Sequence, residues 1–410
     1  MPADRSPGFS FKEGKLYVFQ ESRVIVLEGW PVLRALHKED GKTWQQFAPI
    51  SRVVQPYRPL RKAKPSAQLE FDLGATTAPV RENSLATQRK RAFDKFRFSL
   101  PKPVAARAEK YQSRQWAVLR LFHARPETLE FAQQNPALCF ALANFRCLRG
   151  VTSLKTFADA VKFSGSRQRD IAGALGFPAT DGAARILAKL APESASVELL
   201  EPLREALTDP AVAKALAHLP KLNAGAVAIA KEPRLRAACT AKMLTEVAQA
   251  SKEKYRVNIA VLIEDTLRMF FRVHPNRSAP QFQSIARLRE IHDEISVEYL
   301  RREEPAIRAF RFPKPPVPGT PDIVPICTIE ELIEEGRAQN NCVATYAQRV
   351  QSRHTFIYRV LRPERATLSI VRGDDGDWEI DELERCRNTD VADRTWEWVE
   401  AWLGEHALSA

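Results

Sequence analysis

Four side chains near the C-terminus, Cys342, Tyr346, His354 and Asn388, are of the types that nucleophilic catalysis uses. A thiol at the start of a helix has its pKa lowered by the helix dipole. A neighbouring imidazole can then take its proton while an amide orients the ring. Read this way, Cys342 is the nucleophile, His354 the base and Asn388 the orienting group, with Tyr346 one helical turn from the thiol. The competing and favoured reading is structural. In it Cys342 is a buried helix residue facing a sheet, Tyr346 packs one turn on, and Asn388 ties down a loop through backbone hydrogen bonds. Metal chemistry has less support. His354, Asp374, Asp375 and Asp377 have no ligand spacing, and the six cysteines contain no C-x-x-C pair. Neither a P-loop nor a G-x-G-x-x-G sequence occurs, so no metal and no cofactor is expected.

The elements that must position these groups are legible. Thr328 three residues before Glu331 forms a capping box, which predicts a helix from Ile329 with Leu332, Ile333 and Ala338 on its apolar stripe. Asn340 and Asn341 then stop or cap a second helix over 342–350. Residues 355–361, 366–372 and 378–383 are rich in β-formers and separated by Arg-Pro and Gly-Asp-Asp-Gly connectors, which predicts a three-stranded antiparallel meander. A last helix over 391–403 places Trp396, Val399, Trp402 and Leu403 on one side, against that sheet. Residues 326–410 therefore read as an α+β unit long enough to fold alone.

Within it, Glu334-Glu335-Gly336, Asn341-Cys342-Val343 with Tyr346, Thr367-Leu368 on a strand, and the closing Asn388 resemble the C-terminal domain of PcfJ-like proteins. The resemblance covers roughly residues 326–404. Asn341 stands where the family pattern has a His, and Glu382 and Arg385 stand where it has Gln and Gly. The resemblance implies association with conjugative plasmids and other mobile elements, as an accessory to DNA processing and transfer, and it carries over no established chemistry.

The remainder divides into three segments. Residues 310–325 hold six prolines and read as a stiff linker. Residues 101–309 carry helical patterns of ten to twenty residues broken by Pro and Gly, without a fixed repeat, so an irregular helical array is expected. In this array 115–122 and 137–143 are apolar around the whole circumference, as in helices covered on several sides. Residues 1–100 begin with a hairpin-like β element and continue into a Pro-interrupted arm. The fold class is thus mainly α with a C-terminal α+β unit.

Charge is unevenly spread. Of a net +12, residues 1–125 hold 24 Lys and Arg against 11 Asp and Glu, while residues 324–410 hold 10 against 17. A basic head implies contact with a polyanion, DNA or RNA. The densest basic runs supply Arg58, Arg61, Lys62 and Lys64, then Arg89, Lys90, Arg91, Lys95 and Arg97. The second run interleaves Phe93, Phe96 and Phe98, a mixture suited to single strands whose phosphates meet cations and whose bases stack on rings. Against this stands the reading in which the three rings are core and the cations a solvated face.

No run of 18 apolar residues appears and the first residues lack an apolar leader, so a cytoplasmic protein without a membrane partner is expected. The leading expectation is a nucleic-acid-associated accessory protein, with an additional protein partner possible. A Cys342-dependent enzyme and a helical interaction scaffold are the alternatives.

Overall fold

The computed structural model describes residues 7–20, 22–57, 85–250, 259–307, 310–339, 341–373 and 377–407. Two compact units make up the chain, Met1–Val227 and Ala228–Ala410.

The first unit opens with an antiparallel meander in sequence order: β1 (Gly8–Lys12), β2 (Lys15–Gln20), β3 (Arg23–Glu28), β4 (Arg34–Glu39) and β5 (Gln45–Gln46). Glu13 and Gly14, both at positive φ, close the β1–β2 hairpin between Lys12 and Lys15, the left-handed geometry that a two-residue turn needs. The expected hairpin is β2–β3, here extended on both sides. Helices follow, beginning with Leu85–Phe98, whose buried Ala92, Phe93 and Phe96 give it an inner face. All eight residues of Pro136–Ala143 are buried, as an apolar circumference requires. Gln115 pins the chain before this array. Its Oε1 accepts from Val53 and Val54 N–H, and its Nε2 donates to the Val54 and Tyr111 carbonyls.

The second unit contains the long helices Ile259–Val273 and Ile285–Ile307 and a second antiparallel sheet, in spatial order β10-β9-β8-β7-β6. Its strands are β6 (Ile323–Pro325), β7 (Thr355–Val360), β8 (Ala366–Arg372), β9 (Trp378–Arg385) and β10 (Thr389–Asp390). The mainly α fold with a C-terminal α+β unit is as expected, but the sheet has five strands where three were expected. The two additional strands are the edges. β6 is three residues long and ends in proline, which only an edge strand tolerates, and β10 has two residues.

The Pro-rich segment runs along this sheet. Val317 is fully buried, and its N–H and carbonyl both hydrogen-bond the Tyr358 hydroxyl. The two sheet faces are covered differently. Phe356, Tyr358, Val360, Leu368, Ile370 and Leu383 face Val399, Trp402 and Leu403 of the helix Asp393–Ala407. On the other face Ile357 meets Leu332 and Ile333 of the helix Ile329–Gln339, and Val343 and Tyr346 of the 3-10 turn Val343–Tyr346. The capping box forms: Glu331 N–H donates to Thr328 Oγ1, and Thr328 N–H to Glu331 Oε2.

Candidate functional site

A β-bulge builds the polar site. Ser369 pairs with Glu382 but Ile370 with Ile380, so Asp381 is an extra residue in β9. Without it, strict alternation would put Ile380 and Glu382 on one face. With it, Trp378, Ile380 and Leu383 all join the apolar face, while Glu382 and Glu384 lie opposite Ser369 and Thr367 on the other.

On that second face the helix Ile329–Gln339 and the turn after it close over a continuous polar network. Glu335, 1% exposed, accepts from Thr367 Oγ1 at 2.6 Å and is paired with Arg359 and Arg365. Asn341 donates from Nδ2 to Thr367 Oγ1 and accepts Val343 N–H at Oδ1. The Tyr346 hydroxyl donates to Glu382 Oε2 at 2.8 Å. Arg349 lies over the Tyr346 ring and reaches Asp381, which also accepts from Ser369 Oγ. Asn388, at φ 53°, donates from Nδ2 to Asp293 Oδ1 of the Ile285–Ile307 helix. Gly336 permits the close approach of the turn, since a Cβ there would lie 3.4 Å from Ala344 Cβ and from the Asn341 carbonyl.

These groups line a small open cleft, walled by Asn341, Cys342, Tyr346, Thr367, Ser369, Glu382, Glu384 and Asn388. Burial pushes the Glu382 carboxyl up to about 8, with Glu384 and Asp381 adding to the rise. Burial likewise pushes Glu384 up to about 7 against the opposing pull of Arg289. Cys342 and Tyr346 are both held well above their ordinary values, first by burial and then by Glu382. At neutral pH the thiol is therefore protonated and a weak nucleophile.

Of the four residues read as a catalytic set, the structure brings Cys342, Tyr346 and Asn388 to one cleft. His354 is elsewhere, exposed before β7, with its Nδ1 2.8 Å from Ser352 Oγ. The sequence reading did not single out Glu384, Ser369 or Asp293 as site residues. For Glu384 the signal was its i, i+2 spacing from Glu382 in β9, whereas no local pattern marks Ser369 or Asp293. Among the described residues no three His, Cys, Asp or Glu side chains are grouped to hold a metal ion. Asp374, Asp375 and Asn340 lie outside the described residues.

Of the nine cations read as nucleic-acid-binding, Arg58, Arg61, Lys62 and Lys64 lie outside the described residues. The other five are on the Leu85–Phe98 helix. Lys90 pairs with Asp94 and Arg97 with Glu109, whereas Arg89, Arg91 and Lys95 are exposed. Phe93 and Phe96 are core, but Phe98 is 60% exposed and meets Tyr57, itself 48% exposed, edge to face at 5.1 Å. Lys90 stands over the Tyr57 ring and Arg97 over the Phe98 ring.

Residues 262–395 match the family model described as PcfJ-like protein. The match contains the whole cleft and begins well before residue 326, taking in most of the two long helices. No curated protein and no solved structure matches the chain. Among the described residues no helix is long and apolar enough to cross a membrane.

Proposed function

We propose that this chain, whose C-terminal unit carries a PcfJ-like domain, is a nucleic-acid-associated accessory protein of mobile elements. In this reading the basic N-terminal unit holds the nucleic acid, and the PcfJ-like domain recognises a second ligand or protein. The observation that carries it is the exposed Tyr57–Phe98 pair flanked by cations of the Leu85–Phe98 helix. Every base offers a π-face, so a ring pair of this kind is sequence-tolerant, and stacking contributes about 1–3 kcal/mol per base. Arg89, Arg91 and Lys95 supply phosphate contacts, and the excess of 24 basic over 11 acidic residues in 1–125 supplies the longer-range attraction. Division of the chain into 1–100, 101–309, 310–325 and 326–410 remains part of the proposal.

A role for Cys342 as nucleophile has less support, because its thiol is held protonated and His354 is not on its cleft. The test is a salt titration of binding to labelled single-stranded and duplex DNA by the full chain. Single-strand affinity is expected to fall steeply with salt, and Tyr57→Ala/Phe98→Ala to weaken it by about tenfold or more. Affinity that ignores both salt and the two rings would overturn the reading.

A further inference from the structure

One face of the N-terminal meander is built of rings and cations. Directly paired residues of antiparallel strands lie on the same face, and successive residues of a strand on opposite faces. Phe9 meets Phe93 of the helix Leu85–Phe98 at 6.1 Å and pairs with Val18, so Val18 marks the face that the helix covers. Its neighbours Tyr17 and Phe19 therefore point the other way. Register extends this second face across four strands. One row holds Ser10, Tyr17, Val26 and Leu36, the next Phe19, Val24 and Lys38, and the third Lys12, Lys15, Glu28 and Arg34.

Tyr17 and Phe19 are partly exposed, with ring centroids 6.2 Å apart and planes within 8° of parallel. Val24 and Val26 beside them are 7% and 4% exposed and form the floor between β2 and β4. Parallel rings at this separation repeat at nearly twice the ~3.4 Å per nucleotide of a duplex strand. That repeat suits a single strand with its bases drawn apart, each with a π-face to stack.

Charge favours the same partner over a neutral peptide. Glu28 is the acid of these three rows, and it is buried and already engaged: Lys15 Nζ lies 3.0 Å from its Oε1 and Arg34 Nε 2.7 Å from its Oε2. Lys15 and Arg34 nevertheless keep 39% and 48% of their side chains exposed, and Lys12 and Lys38 are exposed as well. Glu39, the acid of β4, faces the other way and pairs with Lys42. Four cations against one neutralised carboxylate make this face attractive to phosphates.

We propose that this face is a second single-strand binding surface, on which successive bases stack on Tyr17 and Phe19 while Lys12 and Lys38, at opposite corners, hold phosphates. The proposal rests on the nucleic-acid reading of the first unit and adds to the Tyr57–Phe98 pair a surface with its own residues.

The experiment is fluorescence anisotropy of the full chain with a labelled oligothymidylate and with a duplex of equal length. The variants are Tyr17→Leu/Phe19→Leu, which keeps apolar bulk on the sheet, and Lys12→Gln/Lys38→Gln. The ring variant is expected to weaken single-strand binding about tenfold or more. The cation variant is expected to lower the salt slope by about 1.4, the loss of two phosphate contacts. An iodouracil-substituted strand should photo-cross-link to β2 of the unmodified chain, and this decides the matter if the ring variant fails to fold. Unchanged affinity of a folded ring variant, absence of a cross-link on β2, duplex binding with the same dependence on the rings, or binding of oligoproline but not of oligothymidylate would overturn the proposal. Weakening by Tyr57→Ala/Phe98→Ala alone removes this surface and leaves the proposed function; weakening by Tyr17→Leu/Phe19→Leu alone removes the Tyr57–Phe98 site and leaves this one.

Discussion

Glu382 and Glu384 are carboxyls whose protonation the fold moves into the neutral range. Both carboxyls are raised from an ordinary 4.5, to about 8 and about 7. The native state therefore binds protons that the unfolded chain releases, and stability falls as pH rises from about 4.5 through about 8. Their contribution is fully present below the unfolded value and lost above the folded one. Glu384→Gln removes a group that must ionise in a buried place, so the variant is expected to be more stable at about pH 8, by on the order of 2 kcal/mol. The advantage should vanish near pH 4.5. Urea unfolding across that range measures it, and a variant less stable at high pH would contradict the burial argument. At this scale the sequence yielded the types but not all the partners. Cys342, Tyr346 and Asn388 meet because a turn and a strand end converge. His354 is not on the cleft, since it precedes β7 outside the alternating pattern and turns to Ser352.

Elements explain what single residues do not. The extra residue Asp381 divides β9 into an apolar side and an acidic side, and no local composition announces a bulge of this kind. The meander itself, the capping box at Thr328 and the Trp-bearing helix follow directly from period-two and period-3.6 patterns, and all three are present. β6 escaped because prolines obscure any strand signal, and its register comes from pairing with β7. That pairing has a steric seat at Gly319, where a Cβ would lie 2.5 Å from Pro325 Cδ and 2.9 Å from the Ile323 carbonyl. Gly319→Ala is expected to destabilise the second unit by about 1–3 kcal/mol through overpacking, measured by thermal or urea unfolding. An unaltered transition would show that the segment is not anchored as described.

Across the whole molecule, charge and aromatic exposure are what support the two proposed tasks. The sequence made the asymmetry plain, with its basic first 125 residues and its acidic last 87. Helical spacing separates Phe98 from Phe93 and Phe96 around the helix, but the sequence could not say which of the two sides is covered. Phe93 packs on Phe9 of β1 and Phe96 is fully buried, while Phe98 stays with Tyr57 at the surface. The PcfJ-like match over 262–395 lies wholly within the second unit, away in sequence from that ring pair. Hydrogen exchange of the full chain with and without single-stranded DNA therefore tests the division of tasks most directly. Protection is expected over the Leu85–Phe98 helix and the residues leading to Tyr57, with 262–395 unchanged; protection confined to 262–395, with that helix unaffected, would contradict it.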